Sequence, residues 1–162
     1  MTKIKVLFVC LGNICRSPLA EAIFKHKVSQ RGYHQFLEID SCGTSNYHIG
    51  DTPDERTMTN ALENGIVIHH RGRQLQSADL EYFDFILAMD KSNHQNILRL
   101  PKADQHQHKV FLMRSFDASD THDEVPDPYY GGMRGFQEVF EILDRSTESF
   151  LQYLEQNYLN QK

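Results

Sequence analysis

Residues 4–18 read Ile4-Lys5-Val6-Leu7-Phe8-Val9-Cys10-Leu11-Gly12-Asn13-Ile14-Cys15-Arg16-Ser17-Pro18. Ile4 to Val9 is a run of β-branched and apolar residues, the pattern of a strand buried on both faces in a parallel sheet. A helix is expected directly after it: Ser17 can cap it, Pro18 suits its first position, and Ala20, Ile23, Phe24 and Val28 form one apolar face at helical spacing. The unit is strand, tight loop, helix, and it recurs. Phe36 to Ser41 reads as a second strand, followed by a helix from Pro53 whose start carries a Thr52 to Glu55 capping box. Phe85 to Ala88 reads as a third strand, Ser92 to Leu100 as a helix, and Val110 to Leu112 as a fourth strand. In the last helix Phe136, Val139, Phe140, Leu143, Phe150, Leu151 and Leu154 keep one amphipathic face over several turns. The alternation predicts an α/β fold: an open parallel sheet of four strands with helices on both faces, in a single domain spanning residues 1–162.

Composition agrees with a folded chain, since 40% of the 162 residues are hydrophobic and 24% charged, enough to bury one sizeable core. Lys and Arg number 17 against 22 Asp and Glu, a formal charge of -5, with no basic run that would neutralise a row of phosphates. Nucleic acid is therefore not an expected partner. The block Val6 to Val9 is too short to span a membrane and the residues before it lack a signal-peptide layout, so no membrane association and a cytoplasmic location are expected. Cys10, Cys15 and Cys42 cannot all pair within the chain, which favours reduced thiols.

Ligands of open parallel sheets bind outside the carboxyl ends of the strands, where the loops after strands one and four both belong. In the first of these, the backbone N–H groups after Cys10 can converge on one point at a helix N-terminus, a site for an anion. Cys10 adds a sulfur nucleophile and Arg16 a planar, bidentate clamp for phosphate-like oxygens. Such surroundings lower a thiol pKa from about 8.5 to roughly 3.5–7.5, so Cys10 is expected to be ionised at neutral pH. Gly12 permits close backbone approach, Asn13 tolerates a left-handed conformation, and Ser17 can hydrogen-bond the Cys10 sulfur. Displacing the leaving oxygen of a phosphate ester is helped by a proton donor. Asp117, Asp120, Asp123, Glu124 and Asp127 are candidates by type; Pro128 and the aromatic pair after it single out Asp127, and the other four read as a solvated acidic loop. The spacing fits no calcium loop, and His69, His106, His108 and His122 match no ligand motif, so no metal is expected.

These residues resemble the low-molecular-weight protein tyrosine phosphatases, whose signature Cys-x5-Arg-Ser is met by Cys10 to Ser17. Ser41-Cys42-Gly43-Thr44, His70-Arg71-Gly72-Arg73-Gln74-Leu75, Ala88-Met89-Asp90-Lys91-Ser92-Asn93 and Val125-Pro126-Asp127-Pro128-Tyr129-Tyr130 look like the other family blocks, in family order. The resemblance covers nearly the whole chain. It implies a flavodoxin-like, phosphotyrosine phosphatase I-like fold and hydrolysis of phosphotyrosine, or of small aryl or acyl phosphates, through a phosphocysteine. Cys10 would attack and Arg16 would hold the phosphate together with Leu11, Gly12, Asn13, Ile14, Cys15 and Ser17. Asp127 would be the acid and then the base. No cofactor is implied. Tyr47, Tyr129 and Tyr130 would wall a slot deep enough for a phosphotyrosyl ring, while Asn13, Ser41, His70 and Asp90 would support the loop. Cys15 would be a redox partner of Cys10. The implied partners are phosphotyrosine-containing proteins or small aryl phosphates, with inorganic phosphate as product; the oligomeric state stays open.

Tyr47, where many members carry Trp, Cys42 and Gly72 depart from the family pattern and bear on specificity. Protein-arginine phosphatase is the nearest alternative, but that family typically carries Thr where this chain has Ile14. Arsenate reductases of the same fold relay a disulfide to additional cysteines, and none follows Cys42. A phosphopeptide-binding module without turnover, or a flavodoxin-like FMN carrier, would have no use for the complete set of Cys10, Arg16 and Asp127. Turnover of an aryl phosphate separates the enzyme from both binders.

Overall fold

The computed structural model describes residues 2–117, 124–129 and 132–159. The four apolar runs form β1 (Ile4–Cys10), β2 (Leu37–Gly43), β3 (Phe85–Ala88) and β4 (Val110–Leu112). They make one sheet in the order β2-β1-β3-β4, every pair parallel. Five α-helices accompany them among the described residues: α1 (Arg16–Gln30), α2 (Glu55–Glu63), α3 (Ser77–Tyr82), α4 (Lys91–Leu98) and α5 (Met133–Leu154).

The alternation of side chains along β1 assigns a helix layer to each face. Val6 and Phe8 pack with Ile23 and Phe24 of α1 and with Leu143 and Phe150 of α5. Leu7 and Val9 face the other way, against Leu80 of α3 and Ile97 of α4. Phe24 sits between Phe8 and Phe150, with ring centroids 5.7 and 5.4 Å away. Burying a side chain of this kind is worth about 1.5–3 kcal/mol, so this aromatic column holds α1 and α5 to the sheet. Every apolar residue expected on the core faces of α1 and α5 is buried. No helix of the described residues is long and apolar enough to cross a membrane.

Helix starts differ from the expected ones for local electrostatic reasons. Cys15, not Ser17, occupies the N-cap of α1 and makes no side-chain cap bond, so Ser17 and Pro18 fall at the second and third helical positions. The Ser17 hydroxyl is engaged inside the loop instead. Helix α2 starts at Glu55 rather than Pro53, because Asp54 accepts from Arg56 N at 2.8 Å and grips the Arg56 guanidinium, displacing the Thr52 box. Helix α4 starts at Lys91, one residue before the expected Ser92, with Asp90 accepting from Asn93 N. The six-residue α3 was not expected from periodicity. A reciprocal Gln76 and Asp79 capping box stabilises it.

Helix α1 leaves β1 on one face and α4 leaves β3 on the other, although β1 and β3 are neighbours. Their carboxyl ends therefore border a crevice at the point where the connections diverge, the position at which open α/β sheets bind ligands.

Candidate active site

Cys10 is the last residue of β1, and residues 11–15 bend from it into α1. The loop's carbonyl groups are held from outside: Cys10 O by Thr44 N at 2.9 Å, Leu11 O by Ser45 N at 3.0 Å, and Ile14 O by Asp54 N at 2.8 Å. In a trans peptide the N–H of the next residue points opposite to the carbonyl, so these three bonds turn the amides of Leu11, Gly12 and Cys15 toward the loop's interior. With the open N-terminus of α1 they form a cradle of donors. Asn13, at φ +57°, turns the chain so that its own N–H reaches Cys10 Sγ at 3.3 Å. Ser17 Oγ lies 2.9 Å from the same sulfur.

The left-handed Asn13 is fixed by its side chain. Nδ2 donates to Ser17 Oγ and Ser41 Oγ, at 2.8 and 3.1 Å, and Oδ1 accepts from Arg73 N at 3.1 Å and from His70 Nε2 at 2.7 Å. Behind these stands Glu21, a buried carboxylate that accepts from Ser41 Oγ at 2.6 Å, lies 3.2 Å from His70 Nδ1 and pairs with Lys25. Among the described residues, Glu21, Asp40 and His70 are the one cluster with ligand atoms close enough to share a metal ion. Their polar atoms are already engaged, Asp40 with Arg73 Nε at 2.9 Å, and the cluster reads as the brace behind Asn13.

Arg16 is buried to 3% exposure at the start of α1. Its Nη1 donates to Asp90 Oδ2 at 2.7 Å and to Val125 O at 3.0 Å, while Nη2 lies 3.6 Å from Asp127 Oδ2. Burial opposes its charge, but Cys10, Asp90 and Asp127 outweigh burial and hold the guanidinium above its ordinary pKa. Asp90 thus has two duties, capping α4 with one oxygen and orienting Arg16 with the other. Asp127 Oδ1 accepts from Tyr129 N at 3.0 Å, which leaves Oδ2 as the oxygen facing Arg16.

These groups surround a cavity of about 170 Å³ lined by Cys10, Leu11, Gly12, Ile14, Cys15, Arg16, Tyr47, His48, Asp127 and Tyr129. Tyr47 and Tyr129 stand at its mouth, 73% and 41% exposed, and Arg56 lies over the Tyr129 ring. Tyr130 lies outside the described residues, as do Asp120, Asp123 and His122. Cys15 is buried beside Ile14 and Phe136, and burial above all pushes its thiol up to about 12. Cys10, Cys15 and Cys42 are all free thiols.

One of the acidic residues expected to be solvated, Asp117, is buried, whereas Glu124 is exposed as expected. Asp117 is buried in an ion pair with Arg114 and Arg145, at 3.1 Å each. Glu124 accepts from Lys91 N at 2.9 Å at the start of α4. Sequence reading missed His48, which lines the cavity beside Tyr47, and Glu21, whose position one turn beyond Arg16 and Ser17 was the available signal. It also missed Arg73 and the carbonyl of Val125, whose partners are distant in sequence.

A thiol and a buried guanidinium converging on an amide cradle, at the switch point of a parallel sheet, define the class of cysteine-dependent phosphatases. The family model described as low molecular weight phosphotyrosine protein phosphatase matches residues 5–160, and the chain belongs to that family. A low molecular weight phosphotyrosine protein phosphatase of Schizosaccharomyces pombe is 46% identical over 153 residues, 93% of this chain and 97% of that one. Among solved structures, a protein tyrosine phosphatase of Entamoeba histolytica superimposes with a TM-score of 0.91 at 40% identity, covering 95% of this chain and 98% of that one. A Drosophila arginine phosphatase superimposes with a TM-score of 0.87 at 34% identity, covering 95% and 99%.

Proposed function

We propose that this chain hydrolyses phosphotyrosine in proteins, and small aryl or acyl phosphates, without a metal or cofactor. Cys10 Sγ attacks phosphorus as the thiolate, forming a phosphocysteine as the phosphorus–oxygen bond to the substrate breaks. Arg16 and the inward amides of residues 11–17 hold the three remaining oxygens while charge develops on them. Asp127 delivers a proton from Oδ2 to the departing phenolate, then takes one from the water that attacks the phosphocysteine. Inorganic phosphate leaves and the Cys10 thiolate is restored. The observation that carries this reading is the placing of Cys10, Arg16 and Asp127 around one cavity, with Arg16 tied to Asp90 at 2.7 Å and facing Asp127 at 3.6 Å.

Tyr47 and Tyr129 act as walls for the aromatic ring, a role shared with Tyr130 through the family resemblance. Asn13, Ser41, His70 and Asp90 hold the loop and its arginine. Cys15 is a resolving thiol: a Cys10 sulfenic acid formed by peroxide condenses with the Cys15 thiol to a disulfide and water. Residues 1–162 act as one cytoplasmic phosphatase domain on phosphotyrosine-containing proteins. A second reading, phosphoarginine hydrolysis, has the Drosophila neighbour in its favour. Ile14 speaks for tyrosine, since its apolar side chain lines the cavity and supplies no polar atom for a guanidinium.

The test is a metal-free assay of phosphotyrosyl, phosphoseryl and phosphoarginyl peptides. Phosphotyrosine is expected to be turned over fastest by a wide margin. Preference for phosphoserine would overturn the slot argument, and preference for phosphoarginine would replace tyrosine as the substrate.

A further inference from the structure

Residues 44–51 cross the mouth of the cavity as a strap bearing Tyr47 and His48. One end is tied to the phosphate loop, where Thr44 N and Ser45 N reach the carbonyls of Cys10 and Leu11. The other end is tied to the segment before α3: Gly50 N donates to Gly72 O and Gly72 N to Asp51 O, both at 2.8 Å. Arg71 Nη1 adds a bond to Gly50 O at 3.1 Å. Between these anchors the His48 imidazole is held by Asp51 Oδ2 at 3.0 Å from Nδ1, and a methyl group built on Gly12 would come within 3.1 Å of its ring. His48 is thus wedged against the phosphate loop.

The closure of this strap depends on a missing side chain. A Cβ built on Gly72 would overlap the carbonyl oxygen of His48 and stand 3.2 Å from the carbonyl carbon. Both atoms are backbone, which cannot swing aside as the end of a flexible side chain can. The φ of Gly72 is not in the left-handed region, so the requirement is one of space and not of backbone conformation.

We propose that Gly72 is a positioning residue for substrate selection: by admitting the His48 carbonyl, it sets how close the Tyr47 and His48 wall stands to the phosphate cradle. Gly72 does not line the cavity, so it acts through the strap. Any side chain there pushes the wall outward and widens the slot while leaving the cradle of residues 10–17 in place. The proposal rests on the phosphatase reading above.

The test compares the parent protein with Gly72→Ala, using a phosphotyrosyl peptide as substrate and inorganic phosphate as inhibitor. KM for the peptide is expected to rise roughly three- to tenfold, less than the about 10²-fold that a 1 Å misplacement of reacting groups costs, since the wall does not react. kcat and the inhibition constant of inorganic phosphate, which reads the cradle alone, should stay nearly unchanged. In a background carrying Tyr47→Ala and His48→Ala, where the wall has been removed, Gly72→Ala should add nothing to KM. An unchanged KM in the folded Gly72→Ala variant, an equal loss of phosphate affinity, or the same KM rise without the wall would each overturn the proposal. If circular dichroism shows Gly72→Ala unfolded, Arg71→Ala decides, because it loosens the same strap without a clash: a raised KM with unchanged phosphate inhibition supports the proposal, and an unchanged KM overturns it. A parent that does not turn over the peptide overturns both readings, whereas an active parent with an indifferent Gly72→Ala overturns only this one.

Discussion

Arg16 binds Asp90 and Val125 O through one guanidinium nitrogen and turns the other toward Asp127, so its fork is committed before any phosphate arrives. A lysine ammonium is a point donor on a flexible stem and cannot reproduce that division. Arg16→Lys is therefore expected to lower kcat/KM for an aryl phosphate by several orders of magnitude despite keeping the charge. Cys10→Ser should abolish turnover while vanadate or phosphate binding persists, because the hydroxyl stays protonated near neutral pH and the cradle amides remain. Wild-type turnover by Cys10→Ser would rule out covalent thiol chemistry. At Asp127 the discriminating measurement is a leaving-group series. Asp127→Ala should slow basic phenolates far more than acidic ones, and an equal loss across the series would remove Asp127 from the acid role. Cys15 makes a prediction of a different kind, since its thiol, raised to about 12, is protonated at neutral pH. Its thiolate fraction grows about tenfold per pH unit below that value. After peroxide treatment, trapping of the Cys10 to Cys15 disulfide should accelerate steadily from pH 7 to 9. A rate independent of pH, or peptide mapping that links Cys10 to Cys42, would remove Cys15 from this role.

At the scale of elements, the capping carboxylates join local structure to chemistry. Asp90 closes the first turn of α4 through Asn93 N and orients Arg16 through its other oxygen. Losing an N-cap of this type costs about 1 kcal/mol, and leaving Arg16 without its carboxylate adds a functional loss. Asp90→Ala should thus lower the denaturation free energy by about 1–2 kcal/mol and reduce kcat by a larger factor than that loss of stability explains. A stability loss with full activity would make Asp90 only a cap. The strands and the core faces of α1 and α5 were legible in the sequence, because their apolar residues keep a strict period. Helix starts were less so, because Thr52, Asp54 and Ser17 all have capping chemistry, and the choice among them is made by nearby partners, Arg56 for Asp54 and Cys10 with Asn13 for Ser17, that a capping pattern alone does not weigh. The meeting of Cys10, Arg16 and Asp127 at one cavity was legible from residue type and motif. His48 was not, since its spacing does not distinguish a cavity wall from an ordinary polar residue, and for Glu21 the one signal was its place a helical turn beyond Arg16 and Ser17.

At the scale of the whole molecule, both faces of the sheet bury a cysteine thiol near the site, Cys15 under the loop on the α5 side and Cys42 in the layer beneath α3 and α4. Burial raises both, Cys15 to about 12 and the fully buried Cys42 well above its ordinary value. A thiol whose folded pKa lies above its unfolded value keeps its proton in the native state while the unfolded chain gives it up. Its contribution to stability is complete below the unfolded pKa of about 8.5–9 and is lost as pH rises through the folded value. The window for Cys15 therefore runs from about pH 9 to about 12. The expected outcome is a denaturation free energy that falls from pH 9 to 11. Lysines and tyrosines titrate in the same range, so the slope of the parent alone does not identify the groups. The comparison with variants does: Cys15→Ala and Cys42→Ala each lower stability at pH 7 by opening a small cavity, yet each should show a shallower fall above pH 9 than the parent, and the double variant the shallowest. Urea titrations at pH 7, 9, 10 and 11 measure these slopes directly. Parallel curves for parent and variants would mean that both thiols ionise alike in the folded and unfolded chain, contrary to their burial on the two faces of the sheet.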